Sequence, residues 1–553
     1  MRVLFLYNEV ESVGLQYLSK SLRKAGHETA LVFDPKLFDF FRHEYNSKLL
    51  KRIFSFEEQV MERVRQYKPD VIGLQMLTAN FDWCCKYARR IREEFPDIPI
   101  VAGGYHATAS SESVLRTGLV DWIIRGEGED GLVELVKGLE LGAVDRSIPN
   151  LAYLDADDQY VENPLRPYEA DLDRHGMSDK ELFWKLGRPF QIAHMSEWRR
   201  GCPWGCTFCG NNYYRKLYFG DQKDYMFTRK FLRSRSVDDV LAELRHVKAT
   251  YDPPLMRVND DDICADEEWL LEMAAKMTDA ERIPLKAFVI PNNVNERTAA
   301  AMKTIGVQQL QMGVQSLNPE IRKMIGRPNS DAQIANAIDL IGAAGIGLYV
   351  DQIFGLPGET EEDCKKLERF YREHPADVVS IYWLDIWAGA DVLQQSVDAG
   401  TITQEQADFI RQQSGMEDEH GCISTTRNYS NDFAKVYAKR MDVRNVFGPR
   451  VGHWLWDTGM WKVAWFLRMP TLLRAVYAFK HTWSLKKFPK AREGYDIGWA
   501  RYPRLIGHFM GLKIKSWFTR RNTLPLIVRP PMDPSGGELA GDPKRRETAD
   551  AAA

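Results

Sequence analysis

Short apolar runs alternate with segments of helical period along the first 145 residues. Residues 3–6, 28–33, 71–75, 98–102 and 122–125 read as strands. Between them, 14–25 sets Leu15, Leu18 and Leu22 on one face, and 56–67, 82–95 and 130–139 keep the same helical period. This alternation predicts a doubly wound, Rossmann-like parallel α/β sheet over 1–145, with ligands beyond the carboxyl ends of its strands. Three loops fall there: Gln75-Met76-Leu77-Thr78, Gly103-Gly104-Tyr105-His106 and Gly126-Glu127-Gly128-Glu129. A Gly-Gly pair lets a large flat ligand approach the backbone, although a tight strand-to-helix turn uses the same residues.

Residues 146–191 read as a linker with a small hairpin (151–154 and 160–162). Strands then resume at 192–198, 256–259, 286–290, 307–313, 347–354 and 378–384, with helical runs such as 237–250, 267–278 and 332–343 between them. Six strand–helix units predict a partial TIM-type (β/α)6 barrel over 192–390, with its chemistry at the carboxyl ends of the strands. The expected remainder is a helical, Trp-rich domain at 391–529 and a disordered Pro/Gly/Asp/Ala-rich tail at 530–553.

Composition changes this picture in two places. The chain has 553 residues, 44% of them apolar, and a net charge of only −3, yet 439–529 carries 19 Lys and Arg against 4 Asp and Glu. That segment also holds seven of the 15 Trp. A basic, aromatic, amphipathic module suits an anionic membrane surface or a lipid-like or anionic substrate; a helical cap with a solvated basic face is the plainer reading. No RNA-binding motif accompanies the charge, so nucleic acid is not expected. Of the eight Cys, Cys84, Cys85, Cys264, Cys364 and Cys422 show no paired framework and read as free thiols in a reducing compartment. The opening Met1-Arg2-Val3-Leu4-Phe5-Leu6 reads as a strand rather than a signal peptide, and no apolar stretch reaches membrane-spanning length. A cytoplasmic protein, at most membrane-associated, is expected.

The other three cysteines lie in Arg200-Gly201-Cys202-Pro203-Trp204-Gly205-Cys206-Thr207-Phe208-Cys209-Gly210, spaced C-x3-C-x2-C. Three soft ligands in eight residues suit iron–sulfur or zinc. No fourth Cys or His follows promptly, and a 4Fe–4S cluster with three protein ligands leaves one iron open.

This motif, with Phe208 just before its last Cys, resembles the signature of the radical S-adenosylmethionine (SAM) enzymes. The resemblance implies that Cys202, Cys206 and Cys209 hold the cluster, that the open iron binds SAM, and that reductive cleavage yields a 5′-deoxyadenosyl radical. Gly313-Val314-Gln315-Ser316 and Ile353-Phe354-Gly355-Leu356-Pro357-Gly358-Glu359-Thr360 resemble the family's fourth- and fifth-strand motifs. They imply SAM contacts at Gln315, Ser316, Gly355 and Pro357, beside Phe208. Glu359 also suits the N-terminus of the following helix. In the triplet Asp260-Asp261-Asp262, Asp260 is the expected contact to the SAM ammonium; a divalent metal or solvent is the alternative. Tyr382, Trp383 and Trp387 suit either a substrate wall or plain core.

The first 145 residues resemble the cobalamin-binding domain of the cobalamin-dependent radical SAM class. The matching stretches are Val13-Gly14-Leu15-Gln16-Tyr17-Leu18, Ala25-Gly26-His27-Glu28, Val101 to Thr108 and Gly126-Glu127-Gly128-Glu129. Cobalamin contacts are implied at Gln75, Leu77, Thr78, Gly103, Gly104, Tyr105 and His106. The loop Asn8-Glu9-Val10-Glu11-Ser12-Val13-Gly14 lacks the cobalt-ligating His that many cobalamin domains carry. The resemblance implies a 4Fe–4S cluster, SAM and cobalamin as cofactors, and an electron donor such as flavodoxin or ferredoxin. It also implies methylation of an unactivated carbon in a small molecule through methylcobalamin. Oxidative cyclisation of the magnesium-protoporphyrin ester cyclase kind stays open, as does a non-catalytic iron–sulfur or cobalamin sensor.

Overall fold

The computed structural model describes residues 1–9, 11–38, 47–221, 229–327, 329–412, 432–470, 473 and 497–533. Cys422 and most of the 530–553 tail lie outside them.

Val3, Leu4, Phe5 and Leu6 are at most 1% exposed, the near-continuous apolar run of a strand covered on both faces. They form β1 (Arg2–Tyr7), which pairs in parallel with β2 (Glu28–Phe33) and β3 (Val71–Gln75). β4 (Ile100–Gly103) and β5 (Trp122–Ile124) continue the parallel sheet, giving the order 2-1-3-4-5. The helix after β1, Val13–Lys24, starts where the Ser12 hydroxyl accepts the Leu15 N–H at 3.2 Å.

Three further strands join this sheet in pairings that no sequence pattern marks. The hairpin β6 (Leu151–Leu154) and β7 (Tyr160–Glu162) adds antiparallel to β5. A strand from near the end of the chain, Leu526–Arg529, adds antiparallel to β2 at the opposite edge. Phe183, Phe190, Leu505, Phe509 and Ile527 all pack into the core of this first sheet. Asp179 fastens the returning strand: it meets Arg23 at 3.2 Å and Arg529 at 2.9 Å and accepts from the Ser19 hydroxyl at 2.7 Å.

The second sheet holds β8 (His194–Ser196), β11 (Met256–Val258), β12 (Leu285–Val289), β13 (Val307–Gln315), β14 (Gly347–Phe354) and β15 (Val378–Trp383). Its strands lie in sequence order and all pair in parallel. Its helices pack together on one face, so it is the expected open (β/α)6 barrel. β8 is shorter than the predicted 192–198, because the chain turns after Ser196 into β9 (Arg199–Arg200), which pairs antiparallel with β10 (Arg233–Ser234). Helices make up much of the described C-terminal region, including Asp432–Phe447, Pro449–Asp457 and Ile497–Thr519. No described helix is long and apolar enough to cross a membrane.

Candidate active site

The cysteine loop leaves β9 through Gly201 at φ +84°, where a Cβ would stand 2.1 Å from the Phe231 carbonyl oxygen. Only glycine fits there. Cys202 and Cys206 are buried, and Cys209 is half-buried ahead of the helix Gly210–Phe219. The Cys209 N–H donates to the Cys206 carbonyl at 3.0 Å, the Thr207 N–H to Ile325 at 3.2 Å, and the Val392 N–H to Thr207 at 3.0 Å. Gly326, at φ +74°, presses on the loop so closely that a Cβ would come within 2.3 Å of the Gly205 carbonyl oxygen. Phe208 packs against the cluster of Ile321, Ile325, Ile353 and Leu356. The loop is therefore held from the barrel on both sides.

Burial pushes the Cys202 thiol well above its ordinary pKa and the Cys209 thiol up to about 12, and neighbouring cysteines and Asp261 push the same way. Such thiols stay protonated until a cation of high charge takes the protons' place. Arg327 faces them. Its guanidinium donates to the Gly313 carbonyl at 2.8 Å, and the sulfurs of Cys206 and Cys202 raise its pKa against the opposing effect of burial. Among the described residues no group of three His, Cys, Asp or Glu is placed to hold a single metal ion. A 4Fe–4S cluster takes one thiolate on each of three irons, so three cysteines in one loop suit it without a fourth protein ligand.

Beyond the carboxyl ends of β1, β3 and β4 lies a cavity of about 460 Å3, at the point where the strand order reverses. Gly14, Gly73, Gly103, Gly104, Gly126 and Gly128 line its sheet side, with Gln75. Gly104 stands at φ +93°, and a Cβ there would come within 2.9 Å of the Met76 carbonyl oxygen. A wall this bare of side chains suits a large flat cofactor. Gln75 is held by the Ser12 hydroxyl, which donates to its Oε1 at 2.7 Å.

Leu77, Thr78, Tyr105 and His106 are on adjoining turns and do not line this cavity. The Leu77 N–H is taken by Asn80 Oδ1 at 2.7 Å. His106 lies against the Phe81 ring (centroids 4.2 Å apart) with its Nδ1 3.3 Å from the Thr78 hydroxyl, and burial lowers its pKa to about 4. Tyr105 instead bridges the two sheets. Its hydroxyl donates to the Ala388 carbonyl at 3.1 Å, and its ring stands edge-on to Tyr213 and Trp387.

The barrel supplies the cavity's other wall, including Glu197, Arg200, Asn211, Asn259 and Asp261. Of the Asp triplet, Asp261 is the member that opens on the cavity, where it accepts from Asn211 at 2.7 Å. Burial raises its pKa to about 6, and nearby Glu197 adds to the rise. Asp260 is turned inward, accepting the N–H groups of Trp198 at 2.8 Å and Arg199 at 3.0 Å; burial lifts its pKa to about 7. It shapes the turn into the cysteine loop.

Gln315, Ser316, Gly355 and Pro357 come to the adjoining ends of β13 and β14. Gln315 stands at φ +71°, a costly conformation for a residue other than glycine. The Gly355 N–H donates to the Glu359 carboxylate at 2.7 Å, and burial pushes that carboxyl up to about 8. The following helix is capped by Thr360 with Asp363, so Glu359 ties the loop back to its strand.

Sequence reasoning missed the ionic clasp beside the cavity. Arg200 meets Glu129 at 2.7 Å and Glu197 at 2.9 Å, and Arg233 meets Glu127 at 2.7 Å. The loop Gly126 to Glu129 was legible; its partners, far off in sequence, were not. Arg327 was missed for the same reason.

Two family models match the chain: the B12 binding domain over residues 3–136 and the radical SAM superfamily over 197–371. An uncharacterized methyltransferase of Pyrococcus horikoshii is 26% identical over 349 residues, covering 61% of this chain and 72% of that protein. The anaerobic magnesium-protoporphyrin IX monomethyl ester cyclase of Rubrivivax gelatinosus is 24% identical, covering 72% and 70%. Among solved structures, the radical SAM methyltransferase TsrM from Kitasatospora setae, with cobalamin and a 4Fe–4S cluster bound, superposes at TM-score 0.56 and 16% identity, over 76% of this chain and 83% of that one. The cobalamin-dependent radical enzyme OxsB superposes at TM-score 0.59 and 15% identity, over 94% and 80%. With both models in the expected order on a matching fold, the chain belongs to the cobalamin-dependent radical SAM enzymes.

Proposed function

We propose that the protein methylates an unactivated carbon of a small molecule. The observation that carries this reading is the shared cavity: the glycine wall of the first sheet and the residues beside the cysteine loop, Asn211 and Asp261, line the same space. When bound, the cluster supplies reductive SAM cleavage and cobalamin carries the methyl group. Cys202, Cys206 and Cys209 would hold the cluster, with Arg327 offsetting its negative charge. Gln315, Ser316, Gly355 and Pro357 would hold SAM, and Gln75, Gly103 and Gly104 the corrinoid. The edge-on contacts of Tyr105 with Tyr213 and Trp387 join the two units beside that cavity. The buried free thiols Cys84, Cys85, Cys264 and Cys364 fit a reducing compartment, where a flavodoxin or ferredoxin would deliver electrons.

The test is anaerobic reconstitution followed by turnover with methyl-labelled SAM. About four irons per chain, 5′-deoxyadenosine and label in the product are expected; the absence of 5′-deoxyadenosine overturns the reading. Cyclisation is the second reading, favoured by the match to the Rubrivivax cyclase over 72% of this chain. It predicts an unlabelled product.

A further inference from the structure

Two helices leave apolar side chains in solvent at one place on the rim of the first sheet. The helix Ile497–Thr519 buries Leu505 and Phe509 in the core of that sheet. Toward its end it exposes Ile514, Trp517 and Phe518, the last of them 84% exposed. Ile514 and Phe518 are four residues apart and share a face. The second helix, Lys48–Ile53, is capped by the Ser47 hydroxyl, which accepts the Leu50 N–H at 3.3 Å. It buries none of its residues and shows Leu49, 68% exposed, and Ile53 on one face.

The two helices are joined. Trp517 lies against Phe54 with ring centres 5.6 Å apart. The Lys513 ammonium donates to the Ser55 carbonyl and covers the Phe56 ring, 5.0 Å from its centre. Lys513 also feels the charge of Asp34, the residue that follows β2. Leu49, Ile53, Ile514, Trp517 and Phe518 therefore form one apolar surface at the carboxyl end of the first sheet, the end at which the cavity lies. Single exposed apolar side chains are ordinary, whereas a joined group of this kind marks an interaction surface.

Its charge is one-sided. Arg52, Lys515, Arg520 and Arg521 are exposed, and among the described residues none of the four is in an ion pair. Neither 47–56 nor 505–530 contains an Asp or Glu. A second copy of the chain on this face would set like charges against one another. A nucleic acid would leave Leu49 and Phe518 in water. Apolar side chains at headgroup depth, ringed by cations, match a bilayer that carries anionic lipids. We propose that this surface docks the protein on an anionic membrane, its apolar side chains in the interface and its four cations on the lipid headgroups. Docking is peripheral, since no described helix is long and apolar enough to cross a membrane. It stands apart from the methyl-transfer reading and does not need it.

The test is co-sedimentation of the reconstituted full chain with vesicles of phosphatidylcholine, alone or with about 30% phosphatidylserine. Binding about tenfold tighter to the phosphatidylserine vesicles is expected, and it should fall away in about 0.5 M salt. Leu49→Ser combined with Phe518→Ser should weaken it about tenfold, with melting temperature and iron content unchanged. Arg520→Gln combined with Arg521→Gln should remove most of the preference for phosphatidylserine. Equal binding to the two kinds of vesicle by the parent protein overturns the proposal. So does a loss in the arginine variant alone, which would make the surface a site for any polyanion. A dimer of the parent protein that the Leu49 and Phe518 substitutions break would assign the face to a second copy and overturn it as well. Should that variant fail to fold, Lys515→Glu decides in its place, and undiminished binding to phosphatidylserine vesicles overturns the proposal.

Discussion

Arg233, on the barrel side of the cavity, donates to the Glu127 carboxylate across 2.7 Å, and Glu127 belongs to the loop after β5 of the first sheet. The Arg233 guanidinium is nearly enclosed, lying 4.9 Å from the Tyr168 ring centre. An arginine placed this way is a strap across the cofactor space rather than a surface pair.

Arg233→Met should therefore loosen cobalamin more than it loosens the fold. Without Arg233, Glu127 keeps only the more distant Arg200 at 3.8 Å, and we expect cobalamin to be held about tenfold more weakly, read from cobalt retained after gel filtration. Iron content should not change. Equal retention in parent and variant would show that the strap has no part in holding the cofactor.

Gly326→Ala should displace the cysteine loop without unfolding the barrel. The new Cβ would meet the Gly205 carbonyl at 2.3 Å in a backbone conformation with φ +74°, and the loop can yield where the strands cannot. Iron bound after reconstitution should fall below half of the parent value, while far-ultraviolet circular dichroism stays the same.

Asp179→Ala should cost about 3–5 kcal/mol, because Arg23 and Arg529 would both lose the buried carboxylate between them. Urea unfolding checks this. A midpoint unchanged from the parent would mean that the returning strand is held by its backbone pairing alone.

His106 gives a pH dependence of definite sign. Its pKa is lowered from 6.5 to about 4 by burial, so the folded state favours the neutral ring. Above pH 6.5 neither state is protonated and the residue contributes nothing. As pH falls from 6.5 to 4 the unfolded chain takes up the proton first and stability drops, by about 2 kcal/mol between pH 7 and pH 5. His106→Gln should remove that part of the acid sensitivity in urea titrations at the two pH values.

The parallel strands, the cysteine triad and the cavity's glycine wall were legible because each rests on neighbours in sequence: an apolar run, a C-x3-C-x2-C loop, a Gly-Gly turn. Gly103 and Gly104 line the cavity as their position after a strand implied, whereas His106, two residues on, packs under Phe81. A short helix from Tyr105 to Ala109 carries that ring out of the wall, and helix phase over so few residues leaves no pattern to read. Asp260 was the expected contact on sequence, yet it is Asp261 that opens on the cavity. Their roles split because the N–H groups of Trp198 and Arg199 capture the first. The Leu526–Arg529 pairing with β2 was illegible for a different reason: three apolar residues and an arginine after a long helix carry no mark of a partner about 500 positions away.

That last pairing has a consequence for how the molecule is made. The first sheet begins at Arg2, yet its β2 edge, part of its core and the carboxylate lock at Asp179 wait for residues 505–529. During synthesis the amino-terminal unit leaves the ribosome with β2 bare and an apolar face uncovered, and it stays so until residues 505–529 have been translated. Cobalamin loading should accordingly wait for residues 505–529, and a deletion of Leu526–Arg529 should be felt first in the amino-terminal sheet.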